Sequence, residues 1–263
     1  MKIIAVGTLK GGTGKTTMTF NLAGALAEKG KVLLIDIDPQ CNLTNNMGVV
    51  VTDQKFYSCI NIFESTNNDP QKLVIRNPIR SLPNLDIIPS SIYLVATEIK
   101  ISSKAARERI LKNYIEDNSD FFEQYDYILI DTNPSMNIIN QNAFLAADSI
   151  ILVADADDNS RLGVHAFTYL WGEIRRDLRK EDNVKALILN KADVRTTLTK
   201  DIYEYYQDDE ELSGILVPQT IRPKVAYARA ALARVPVTVY KDGADAAEEI
   251  RNVVNILTER GVF

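Results

Sequence analysis

A chain of 263 residues can bury a substantial core and sits near the upper size of one α/β domain. Hydrophobic residues at 46% and charged residues at 25% exclude a disordered chain. A net charge of −5 excludes a surface coated in positive charge, so any contact with nucleic acid must be confined to a patch.

The first run, Met1 to Gly7, leads directly into a glycine-rich loop. It leaves no room for a basic and hydrophobic leader, so the expected location is the cytoplasm. Lys2 to Thr8 predicts a strand and Lys15 to Glu28 a helix, followed by a strand over Lys31 to Asp36. The stretch Gly48 to Arg80 is less regular, with Asn67, Asn68, Asp69 and Pro70 marking a loop. Further strands are expected over Leu85 to Ile88, Tyr127 to Asp131, Ser149 to Ala154, Val184 to Asn190 and Ile215 to Pro218. Helical spacing falls between them, over Ala105 to Glu116, Asn137 to Ala147, Leu162 to Leu178 and Leu198 to Tyr206. Asp208 to Glu211 reads as a solvated loop.

A last helix, Ala244 to Arg260, places Ile250, Val253, Val254 and Leu257 on one face. Glu248, Glu249 and Glu259 balance its few basic residues, which favours docking on the domain over lying on a membrane. No apolar run reaches the roughly 18 to 20 residues of a bilayer span, because Asp148 interrupts the best candidate, Ala143 to Ala156.

Strands alternating with helices, most strands being continuous apolar runs, predict an α/β fold: a mostly parallel twisted sheet with helices on both faces. One domain over residues 1–263 is expected. Cys41 and Cys59 have no zinc or disulfide spacing and read as unpaired thiols. His165 is the only histidine and reads as structural, which argues against a His-based metal or acid/base centre.

The chemistry concentrates in Lys10-Gly11-Gly12-Thr13-Gly14-Lys15-Thr16-Thr17. A strand, a loop of three glycines and a helix N-terminus aim backbone N–H groups at one anion. Lys15 is placed to reach the β- and γ-phosphates of a nucleotide, Thr16 to coordinate Mg²⁺ and Thr17 to bond the α-phosphate. The second strand ends in Asp36-Ile37-Asp38-Pro39, and strand alternation sends both aspartates to one side. Close carboxylates at the C-terminal end of a parallel strand suit a divalent cation or its waters. Tyr127 to Asp131 ends in a third carboxylate, the Walker B arrangement, before Thr132-Asn133-Pro134-Ser135.

The ordinary P-loop pattern wants glycine where Leu9 stands, and Lys10 follows the departure. Lys-Gly-Gly-Xaa-Gly-Lys-Thr-Thr resembles the deviant Walker A P-loop of the ParA/MinD ATPases. The resemblance runs over nearly the whole chain. It implies a P-loop NTPase fold and a Mg-dependent ATPase that closes as a homodimer around ATP. Lys10 would reach the partner subunit's phosphates, much as an arginine finger does. Asp36 would hold the Mg²⁺ hydration shell and Asp38 would position or activate the attacking water. The family usually has proline where Asn133 stands and glycine where Cys41 stands.

By the same resemblance, Asn190 and the turn Pro218, Gln219 and Thr220 would frame the adenine. Asn190-Lys191-Ala192-Asp193 also has the letters of a tetrapeptide that reads guanine in many GTPases, which keeps GTP as an alternative. Pro89-Ser90-Ser91, Arg195 to Thr199 and Pro218 to Arg222 look more like the ParA/Soj partition branch than the cell-division branch. Arg195 and Arg222 would then contact DNA non-specifically in the ATP dimer, with Lys224, Arg229 and Arg234 able to widen the patch. A centromere-binding, ParB-type protein is the implied second partner, the nucleoid the implied location, and no membrane is expected. The alternative role is a family ATPase that binds a membrane or positions a protein cargo. A metallocentre ATPase would need interface cysteines that Cys41 and Cys59 do not provide.

Overall fold

The computed structural model describes residues 1–51, 56–66 and 69–263. Six runs rich in Ile, Leu and Val form the strands β1 (Lys2–Gly7), β2 (Val32–Asp36), β3 (Leu85–Ile88), β4 (Tyr127–Asp131), β5 (Ser149–Asp155) and β6 (Val184–Asn190). They pair in parallel in the order β3-β2-β4-β1-β5-β6. The helices are α1 (Lys15–Leu26), α2 (Asn42–Asn46), α3 (Cys59–Glu64), α4 (Pro70–Leu73), α5 (Leu94–Ile101), α6 (Ile110–Asp117), α7 (Ser119–Phe122), α8 (Ile138–Ala146), α9 (Asp158–Asp177), α10 (Thr197–Asp208), α11 (Val225–Leu232) and α12 (Ala244–Glu259).

Strand alternation divides the core into two layers, because successive side chains leave opposite faces of a strand. Ala5, Leu33, Ile35, Ile128, Ile130 and Leu152 pack with α3, α6, α8 and α9 on one face. Ile4, Val6, Leu34, Leu129, Ile151 and Val153 pack with α1 and α12 on the other. Covered faces explain why the strands read as unbroken apolar runs. Ile250, Val253, Val254 and Leu257 of α12 are buried in the second layer. Among the described residues no helix is long and apolar enough to cross a membrane.

Three expectations change. Ile215 to Pro218 is not a strand but a single parallel bridge, Leu187 to Leu216, closed by Leu187 N–H to Ile215 O at 2.8 Å and Val217 N–H to Leu187 O at 2.9 Å. Pro218 has no N–H to extend the ladder. The helix expected from Ala105 is interrupted, since Ala106 adopts φ 52 and a 3-10 turn over Arg107–Arg109 precedes α6. The irregular stretch carries α3 and α4, the latter capped where Asp69 accepts from Gln71 N–H at 3.1 Å. Asn67 and Asn68 of the expected loop lie outside the described residues. The short α2 and α7, with α5 and α11, were not anticipated.

Candidate functional site

The C-terminal ends of β1, β2, β4, β5 and β6 meet around the glycine-rich loop. Gly12 takes φ 79, and Gly14 caps α1 at φ 90, both in the left-handed region that favours glycine. A Cβ on Gly14 would fall 2.2 Å from Asn190 Nδ2. The loop is clamped from β6: Asn190 Nδ2 donates to Thr13 O at 2.7 Å, and Lys191 Nζ donates to Gly12 O at 2.6 Å. No side chain caps the N-terminus of α1, so its first N–H groups remain for an anion. Gly11 to Thr17, with Asp38, Gln40, Asn42, Pro134 and Lys191, line a cavity of about 390 Å³. Lys15 is largely buried in it, and the Thr13 hydroxyl is buried without a partner.

Register places Asp36 directly opposite Asp131 on adjacent strands, and both are fully buried. Asp36 is tied into its own chain: Oδ1 accepts from Asp38 N–H at 3.0 Å, and Oδ2 accepts from Thr44 N–H at 2.8 Å and Thr44 Oγ1–H at 2.6 Å. Asp131 Oδ1 accepts from the Thr19 hydroxyl at 3.0 Å, with the Thr16 hydroxyl also in reach, while its Oδ2 is buried and unpartnered. Burial, and then the Asp131 charge, push Asp36 up to about 7. Burial pushes Asp131 up to about 6, with Lys15 acting the other way.

A free carboxylate oxygen beside a threonine hydroxyl is the hard-oxygen set that suits Mg²⁺ and its waters, so Thr16 and Asp131 fit that ion. Asp36 stands behind them with both oxygens engaged. Asp38 separates from Asp36 and lines the cavity of the glycine-rich loop, with Oδ1 accepting from Gln40 N–H at 2.9 Å.

Lys10 turns away from this cavity within the single chain. Its Nζ donates to Asp155 Oδ1 at 2.9 Å and to Asp157 Oδ2. Burial lowers the Lys10 pKa and the bonds to Asp157 and Asp155 raise it, for a net rise. Asp157 also caps α9, accepting from Ser160 N–H at 2.8 Å.

A second cavity of about 450 Å³ adjoins the first through Gly14, Thr17 and Lys191 and is walled by Asn190, Arg222, Lys224 and Tyr227. Gln219 and Thr220 line a third, of about 420 Å³, which among the described residues shares only Arg222 with it, and Pro218 is exposed. The structure therefore brings Asn190 to the loop and leaves the Pro218 to Thr220 turn beyond Arg222. A larger cavity of about 620 Å³, between α9 and Glu211 to Ile215, touches none of these residues.

Arg195 is exposed and paired bidentately with Asp193, by Nε at 2.9 Å and Nη2 at 2.6 Å. Arg222 is half-exposed. Lys224 differs from the surface arm that sequence suggested: its ammonium is buried 3.2 Å from Glu249 Oε1.

Several participants were missed in the sequence. Thr19 follows Lys15 by one helical turn, and Asp155 ends a strand as Asp36 and Asp131 do, so both left a signal. Thr44 and Glu249 left none, being brought in by folding. Cys41, at φ 56, occupies the left-handed conformation expected of a glycine position, and burial pushes its thiol up to about 11. Asn133 is held by Asn140, whose Nδ2 donates to Asn133 O at 2.8 Å. His165 bonds the Tyr205 hydroxyl at 2.7 Å, away from the loop.

A family profile described as an AAA domain matches residues 1–185. The chain is 31% identical over 226 residues to the sporulation initiation inhibitor protein Soj of Bacillus subtilis, covering 84% of this chain and 85% of that protein. It is 30% identical over 258 residues to the cell division protein PomZ of Myxococcus xanthus, covering 95% and 76%. The fold superposes with a TM-score of 0.78 on a plasmid partition protein of Borrelia burgdorferi bound to AMPPNP, at 25% identity over 98% of this chain and 99% of that one.

Proposed function

Because this chain belongs to the ParA/MinD-type P-loop ATPases, we propose that it is a DNA-partition ATPase working as a nucleotide switch. The observation that carries this reading is the cavity lined by Gly11 to Thr17 at the N-terminus of α1, with a second lysine, Lys10, next to it in the chain and held on Asp155. In the proposed cycle the N–H groups of Gly11 to Thr17 and the Lys15 ammonium hold the triphosphate. Thr16 and Asp131 would hold Mg²⁺, with Asp36 supporting its hydration shell, and the ion would supply neutralisation of charge on the triphosphate. Asp38 orients the attacking water from the cavity wall. Lys10 leaves Asp155 and Asp157 to neutralise the partner subunit's phosphates, closing a homodimer. Asn190 and Lys191 fix the loop, and the base sits beside Asn190, with Pro218, Gln219 and Thr220 bordering it beyond Arg222.

The closed dimer then presents Arg195 and Arg222 to the backbone of double-stranded DNA on the nucleoid, without reading sequence. A centromere-binding partner stimulates hydrolysis and release. The relationship to PomZ, a cell division protein, favours a second reading in which the same switch positions a protein cargo. The apolar face of α12 lies in the core, which leaves it unavailable for lipid.

Binding to unrelated duplex DNA with ATP, with ADP and without nucleotide, across a salt series, separates these readings. The partition switch requires ATP-dependent, salt-sensitive binding that Arg195→Ala and Arg222→Ala lose. Absence of binding under every nucleotide condition transfers the role to cargo positioning.

A further inference from the structure

Two of the cations that sequence assigned to a DNA surface converge on one carboxylate. Glu249 of α12 is 6% exposed. Its Oε1 accepts from Arg222 Nε at 2.6 Å and lies 3.2 Å from Lys224 Nζ, while its Oε2 is buried and unpartnered. Engagement through Nε matters because a guanidinium has five donors in a rigid plane. With Nε fixed on Glu249, no other hydrogen bond to Arg222 is made among the described residues, and its half-exposed side chain keeps both Nη groups for an outside acceptor. Two cations share Glu249, so Lys224 offsets its charge, while Asp245 and Glu248 line the same cavity as Arg222. Without Lys224, the Arg222 and Glu249 pair would be neutral. Arg222 and Lys224 also wall the cavity next to Gly14 and Asn190, which places the cluster between the loop and the surface.

We infer that Glu249 is a positioning residue: it aims Arg222 as a preorganised phosphate-binding arm, and Lys224 cancels the charge of the carboxylate that does the aiming. The inference rests on the reading of the chain as a DNA-binding switch. It makes a prediction opposite to simple charge. Removing a negative charge beside a DNA surface strengthens attraction to a polyanion, whereas removing a positioning group frees the arm and weakens binding.

The test is duplex DNA binding at saturating ATP, which holds the nucleotide state constant. Glu249→Gln is expected to bind about tenfold more weakly, with the slope of log affinity against log salt shallower by about one contact. Equal or tighter binding overturns the inference. Arg222→Lys, at a half-exposed position where folding is not at stake, keeps the charge and loses the fork. It is expected to bind within about twofold of Arg222→Ala, since one ammonium does not replace the planar donor set. Affinity like that of the unmodified chain also overturns the inference. If the unmodified chain shows no ATP-dependent DNA binding, the switch reading falls and this inference with it. If it binds DNA and both variants bind equally well, only the role of Glu249 is lost.

Discussion

Asp36 and Asp131 face each other without solvent; burial raises both, and the Asp131 charge adds to the rise at Asp36. Their raised pKa values carry a definite sign for stability. The unfolded chain releases these protons near the ordinary value of 3.8, whereas the folded chain retains them to higher pH. Between those points the folded state binds more protons, so the unfolding free energy contributed by this pair falls as pH rises from about 4 to about 7. Asp157 and Glu64 are shifted down instead and act in a lower window. Without nucleotide or Mg²⁺, the melting temperature is expected to decline across pH 5 to 7, and Asp36→Asn to flatten the decline. Scanning calorimetry against pH checks this, and a melting temperature rising through the window would contradict the burial argument. The aspartates at the strand ends were legible because apolar runs closing in Asp are visible as letters. The Thr44 bonds to Asp36 were not, since they require α2 to fold back over β2.

At the scale of an element, α9 shows how a helix is held at both ends. Asp157 caps its start, and Trp171, fully buried, packs against Phe144 with ring centroids 5.5 Å apart. The indole N–H donates to Asn183 Oδ1 at 2.9 Å, and Asn183 Nδ2 donates to Phe144 O and Ala147 O, both at 2.9 Å, satisfying the end of α8. Trp171→Ala removes the packing and leaves Asn183 half satisfied, which is expected to cost about 3 to 5 kcal/mol. Urea unfolding measures it, and a loss below about 1 kcal/mol would mean that neighbours close over the site. The apolar period located the body of α9 from Leu162, but its polar first turn, Asp158 to Arg161, carried no period. Only the cap geometry marks where it begins.

For the whole molecule, the position of Lys10 sets the cost of dimer closure in the proposed cycle. Its bonds to Asp155 and Asp157 must break before it can cross to a partner. Lys10→Ala is expected to abolish ATP-dependent dimers. Asp157→Asn keeps an oxygen to cap α9 but removes a charge from Lys10, so its dimers should form at several-fold lower protein concentration. Sedimentation velocity with ATP reads both, and unchanged association in the two variants would place Lys10 outside the interface.

The sheet, all but one of its expected strands, and the glycine-rich loop were legible in the sequence, because these depend on local features. Apolar runs, glycines that permit a left-handed backbone, and a lysine at fixed spacing act within a few residues of one another. Folding sets which carboxylate oxygen stays free, where Lys10 and Lys224 point, and what walls the second cavity. Those outcomes depend on contacts between residues far apart in the chain, Lys10 with Asp155, Asn190 with Thr13 and Lys224 with Glu249. Such contacts exist only once the strands have taken their order in the sheet.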